Sequence, residues 1–236
     1  MIDFREFAFH DDDMEELLQL KIDFVFQPIF DAKNLEIIAY EALMRPEGKS
    51  PLDLIEEYQQ KNKLYVIELA TCFGATIEYL KRGYDKDICL NSFPSEVMNR
   101  GQIDLYFKSF PEMDGKIIVE MLEYTELNKD RWGEKKAEIS YHEMKVALDD
   151  YTTGSNDISA VDFFHPQFVK IDRSLVTNVH LDGAKQKKII DMVADLHSRG
   201  IKIVAEGIET ADELEFLRKN TEIDYLQGYY LAIPQE

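Results

Sequence analysis

The chain has 236 residues, 45% of them hydrophobic, with a mean hydropathy of −0.33, which is enough apolar material for one sizeable core but leaves no run near the roughly 18 apolar residues of a membrane span. A net charge of −19 and a pI near 4.7 repel DNA, RNA and anionic lipid, and a phosphate-bearing substrate would need cations to approach. Cys72 and Cys89 are too few for a disulfide framework, and the five histidines show no zinc-binding spacing, so oxygen-liganded Mg²⁺ or Mn²⁺ is the metal class left open.

The opening stretch MIDFREFAFHDDD has neither the basic segment nor the apolar segment of a secretory signal, which makes a cytoplasmic protein the expectation. Residues 11–20 form an acidic-headed helix, and residues 1–20 read as a lead-in to a single domain filling 1–236. FVFQPIFD (Phe24–Asp31) and LEIIAYEAL (Leu35–Leu43) read as strands. Only Ala32–Lys33–Asn34 separates them, too short for a parallel crossover, so they should pair antiparallel. Ser50 to about Arg82 is helical in two pieces, broken near Asn62.

From there strands and helices alternate. The expected strands are Asp87–Asn91, Lys116–Met121, KVALDD (Lys145–Asp150), Phe168–Asp172, Ile201–Glu206 and Asp224–Gly228. Helices are expected from about Pro94 to Phe110, from the charged stretch up to about Met144, near Asp157–Phe164, and over 183–199 with a stop at Gly200. Thr210 and Glu213 form a capping box that opens the last helix. About eight strands with helices between them, in a chain of this length, close most naturally as a modified TIM (β/α)8 barrel with one strand near the N-terminus running against the rest.

The residues that end these strands form a pattern: Gln27, Glu41, Asn91, Glu120, Asp149 with Asp150, Lys170, Glu206 and Gln227. Each is polar and follows an apolar run, and in such a barrel these ends converge on one face. Five carboxylates gathered there could not all stay ionised without cations, and with Asn91 they make a hard oxygen set suited to one or two Mg²⁺ or Mn²⁺ ions. Alternation turns Lys170 away from Val169 and Ile171 and to the same side as Asp172. Two consecutive aspartates can share one site only where the strand ends and the backbone turns.

Tyr40–Glu41–Ala42–Leu43–Met44–Arg45 carries the Glu-Ala-Leu signature. It stands in order with Phe26–Gln27–Pro28–Ile29, Leu90–Asn91, the Glu120 and Glu123 pair, Leu148–Asp149–Asp150 and Val169–Lys170–Ile171–Asp172–Arg173–Ser174. Val204–Ala205–Glu206–Gly207–Ile208–Glu209–Thr210 and Tyr225–Leu226–Gln227–Gly228–Tyr229 complete it. Over roughly residues 20–233 the chain resembles the EAL family, whose members hydrolyse the bacterial signalling dinucleotide cyclic di-GMP to linear pGpG.

The resemblance implies that a metal-activated water attacks at the C-terminal face of the barrel. It places metal on Glu41, Asn91, Glu120, Asp149 and Asp150, with two ions about 4 Å apart stabilising attacking and leaving oxygens. Lys170 and Glu206 would orient and activate the water, Glu206 as general base. Gln27, Arg45 and Gln227 would contact the ligand, with Glu123, Asp172 and Glu209 in support. A homodimer through the region of the loop after Asp150 and the following helix is also implied.

The chain departs from the family in that loop. Tyr151–Thr152–Thr153–Gly154–Ser155–Asn156–Asp157 stands where Phe-Gly-Thr-Gly-Tyr-Ser-Ser is usual, and Pro46 stands where an aromatic is common after Arg45. The alternative function is a catalytically silent cyclic di-GMP receptor or protein-binding module. Some other magnesium-dependent barrel enzyme is a third reading that leaves the resemblance aside.

Overall fold

Eight strands follow one another in chain order around a closed barrel, as the alternation of elements predicts. The structure, a computed structural model, describes residues 4–7, 9, 11–122, 129–151 and 158–235. By its internal contacts the chain falls into two compact units. One comprises Met1–Phe26 and Ala42–Met144, the other Gln27–Glu41 and Lys145–Gln235.

In the first unit lie α1 (Asp11–Gln19), α2 (Pro51–Gln60), α3 (Leu64–Leu69), α4 (Ala75–Lys81), β3 (Asp87–Ser92), α5 (Arg100–Ser109), β4 (Ile117–Met121) and α6 (Lys129–Tyr141). The strands β1 (Ile22–Asp31) and β2 (Ile37–Pro46) run through both units. The break expected near Asn62 is there, with Asn62 itself at φ 56. Between α3 and α4 the chain makes one π-helical turn, Ala70–Gly74. Phe7, Phe9, Tyr106 and Phe110 pack edge-on around the ring of Phe73, with centroids 4.9–6.1 Å apart, and Phe73 is fully buried. β3 and β4 pair in parallel with Asn91 opposite Glu120.

The helix expected from about Pro94 begins instead at Arg100. Asn99 caps it by accepting the Gln102 N–H at 3.1 Å, and Gln102 returns a bond to the Asn99 backbone, so the first turn is nucleated six residues later than the apolar pattern indicates.

The second unit holds β5 (Lys145–Tyr151), α7 (Ile158–Phe164), β6 (Phe168–Ile171), α8 (Arg173–Val176), α9 (Gly183–Ser198), β7 (Lys202–Ala205), α10 (Ala211–Asn220) and β8 (Tyr225–Leu226). β5, β6, β7 and β8 pair in parallel. β1 runs antiparallel to β8, with Phe30 opposite Leu226, so the reversed strand is where the short turn after Asp31 predicts it. That turn closes with the Asp31 N–H donating to the Glu36 carbonyl at 2.9 Å. Leu148, Val169, Ile171, Ile189, Leu196, Ile203, Ile208 and Leu226 are all fully buried and form this unit's core. α9 stops just before Gly200, φ 75, and α10 opens on the Thr210–Glu213 capping box, both as expected.

Candidate active site

β6 puts Val169 and Ile171 on one side and Lys170 on the other, and Lys170 is only 2% exposed. A lysine this buried needs acceptors for its three N–H groups. Its Nζ meets three separate carboxylates: Glu206 at 2.7 Å, Asp149 at 3.1 Å and Glu41 at 3.4 Å.

The paired aspartates reach this place by a β-bulge. Ala147 faces Phe168 and Leu148 faces Val169, but Tyr151 faces Ile171, so Asp149 and Asp150 together stand opposite Lys170 alone. The extra residue breaks the two-residue alternation that would send the two carboxylates to opposite faces. Asp150 absorbs the kink at φ 49, a region that Asp tolerates better than most residues. The strand continues through Tyr151, so the aspartates converge inside the strand and not at its end as the sequence suggests. Oxygens of Asp149, Asp150 and Glu206 lie within 4.8 Å of one another.

Glu206 and Gln227 are fixed by tight backbone approaches just past the ends of β7 and β8. The Glu206 N–H donates to the Ile171 carbonyl at 3.2 Å, and Gly207 follows at φ +67, where an added Cβ would sit 2.3 Å from the Cβ of Arg173. The Gln227 N–H donates to the Ala205 carbonyl at 2.9 Å, while Gly228 leaves only 2.2 Å between an added Cβ and the backbone of Ile208. Only glycine fits either position. From there the Gln227 amide Nε2 donates to Glu41 Oε2 at 2.6 Å, with Gln27 Oε1 at 3.4 Å, and Gln27 Nε2 donates to the Ala232 carbonyl at 3.1 Å.

The electrostatics are lopsided. Among the described residues three carboxylates (Glu41, Asp149 and Glu206) meet the Lys170 ammonium, and a fourth, Asp150, lies close to Asp149 and Glu206. Burial pushes the Glu206 carboxyl well above the usual carboxylate range; Lys170 opposes that shift, and the charges of Asp149 and Glu41 add to it. An all-oxygen donor set with surplus negative charge has the chemistry of a hard divalent-cation site.

The second unit therefore gathers Gln27, Glu41, Asp149, Asp150, Lys170, Glu206 and Gln227. In the first unit Asn91 and the fully buried Glu120 are brought face to face on β3 and β4. Arg45 is exposed, its guanidinium donating to the Met44 carbonyl at 2.9 Å. Asp172 caps α8 by accepting the Ser174 N–H at 2.9 Å, and Glu209 pairs with Arg173 at 3.0 Å in an exposed contact. Glu123 and positions 152–157, all of the divergent loop after Tyr151, lie outside the described residues. Sequence reasoning gave no role to Glu68 and Lys135, a buried ion pair at 2.7 Å; the available signal was a glutamate set within the apolar stretch Leu64–Gly74.

Residues 12–234 match the EAL domain family. The probable cyclic di-GMP phosphodiesterase PdeG of Escherichia coli K12 is 29% identical over 225 residues, 89% of this chain and 44% of that protein. The blue light- and temperature-regulated antirepressor BluF of the same organism is 26% identical over 215 residues, 89% of this chain and 53% of that protein. The chain thus spans about half the length of these curated relatives. The crystal structure of a standalone EAL protein from Vibrio cholerae O395 in its c-di-GMP-bound form superposes with a TM-score of 0.80 at 24% identity, covering 92% of this chain and 94% of that one. Among the described residues no helix is long and apolar enough to cross a membrane. With its motifs in order, its barrel and this match over nearly its whole length, the chain belongs to the EAL domain family.

Proposed function

We propose that this chain hydrolyses cyclic di-GMP, opening one phosphodiester to give linear pGpG, with Mg²⁺ or Mn²⁺ held by Glu41, Asn91, Glu120, Asp149 and Asp150. The observation that carries the reading is the surplus of carboxylates around the buried Lys170, with Asp149, Asp150 and Glu206 converging within 4.8 Å. When bound, the cations would neutralise phosphodiester charge and acidify a water at neutral pH.

The chain's own groups divide the remaining work. Glu206, with its proton affinity raised by burial, is suited to accept the proton of the attacking water. Lys170 would orient that water and add positive charge beside the reacting phosphate. Gln227 would fix the Glu41 carboxylate through the 2.6 Å bond and, with Gln27 and Arg45, contact the dinucleotide. Glu123, Asp172 and Glu209 would support the site. The enzyme would act in the cytoplasm, as a homodimer. Glu41→Ala and Lys170→Ala are expected to abolish pGpG formation while keeping the circular dichroism of the parent chain. Full activity in either variant overturns the assignment.

A second reading, a module that binds without hydrolysing, draws on the likeness to an antirepressor. Tight cyclic di-GMP binding in EDTA, with no turnover once metal is restored, would favour it.

A further inference from the structure

In the first unit, Glu68 on α3 and Lys135 on α6 are 6% and 7% exposed, and neither belongs to a family motif quoted above. Their bonds all converge on the segment that leaves β3. Lys135 Nζ donates to Glu68 Oε1 at 2.7 Å and to the carbonyls of Phe93 and Glu96 at 2.8 Å each, which uses its three N–H groups. Glu68 accepts the Ser92 hydroxyl at 2.6 Å and the Phe93 backbone N–H at 3.0 Å. Ser92 in turn gives its carbonyl to the Leu122 N–H at 3.1 Å, so the ends of β3 and β4 are tied together next to the Asn91–Glu120 pair.

Among the described residues the Asn91 amide makes only a marginal contact, Nδ2 to the Ala42 carbonyl at 3.5 Å, so its aim follows from its backbone. Two long side chains from two helices, buried and committed to one turn, each give up the hydration of an ion. A turn on the surface could satisfy its carbonyls with water at no such cost.

We propose that Glu68 and Lys135 are positioning residues: they lock the Ser92–Glu96 turn and thereby set Asn91, with Glu120 across from it, for metal. The inference rests on the metal-binding reading above. Lys135→Met removes the donors to Phe93 and Glu96 at nearly constant volume. It is expected to bind Mn²⁺ roughly 10–100-fold more weakly in calorimetry of the full chain, as loss of a supporting contact does at metal sites. In the same variant the amides of Phe93 and Leu122 should exchange with solvent faster. Lys187→Met, which removes an exposed pair with Asp191, should change neither.

Unchanged Mn²⁺ affinity in Lys135→Met, with or without faster exchange, overturns the positioning role and leaves the metal site standing. Absence of Mn²⁺ binding by the parent chain overturns both this inference and the proposed function. Should Lys135→Met fail to fold, the double variant Glu68→Gln/Lys135→Met, which leaves no buried charge, is measured in the same way.

Discussion

Two buried lysines invite comparison. Lys135 faces one carboxylate and two carbonyls, and Glu68 spends its remaining capacity on a hydroxyl and a backbone N–H. Charge and hydrogen bonds both balance. Lys170 faces three carboxylates with a fourth, Asp150, close to two of them. Among the described residues these acids outnumber the ammonium they surround. The first arrangement is complete as the chain folds, whereas the second has the donor chemistry of a cation site. A buried lysine alone therefore says little about function; the ratio of acids to bases around it separates a structural pair from a reactive site.

The two clusters should consequently respond to neutralisation with opposite signs. Removing one member of the balanced pair leaves an uncompensated buried charge, so Lys135→Met is expected to lower unfolding free energy by about 3–5 kcal/mol. Glu68→Gln/Lys135→Met should lose less than that single variant in urea denaturation. Equal losses in the two would mean that the pair is not electrostatically closed.

At the overloaded cluster, neutralising an acid should help the metal-free chain. A carboxyl whose folded pKa is raised keeps its proton in the native state after the unfolded chain has released it. Its stability contribution is therefore full below its ordinary value near 4.5 and erodes as pH climbs through that value toward the folded pKa. In EDTA, Glu206→Gln is expected to shift the urea midpoint upward at pH 7 and to flatten the decline in stability above about pH 4.5, while eliminating turnover. A variant that is destabilised and keeps the parent's pH slope would break the comparison.

Much of this was readable from the residues. The polar positions were legible because apolar runs give way at or next to the strand ends at Asn91, Glu120, Lys170 and Glu206, and the short turn after Asp31 indicated the sense of the reversed strand. Gln27 and Glu41, read as strand ends, lie instead in the middle of the ten-residue strands β1 and β2, whose apolar runs resume after them. Two things were hidden for physical reasons. An inserted residue cannot be seen in a period-2 pattern, so the bulge that carries Asp149 and Asp150 to one side emerged only from the register with β6. Glu68 and Lys135 are 67 residues apart on different helices, and nothing local marks them as partners. The start of α5 was misplaced because the capping pair Asn99 and Gln102 outweighs the helical pattern that precedes it.

The central claim, that the lopsided cluster around Lys170 is a hydrolytic metal site, is tested most directly by product analysis. Purified chain is incubated with cyclic di-GMP in Mg²⁺, in Mn²⁺ and in EDTA, and the nucleotides are separated by chromatography. The account predicts linear pGpG with at least one of the two metals and none in EDTA. Cyclic di-GMP recovered intact under all three conditions would contradict it.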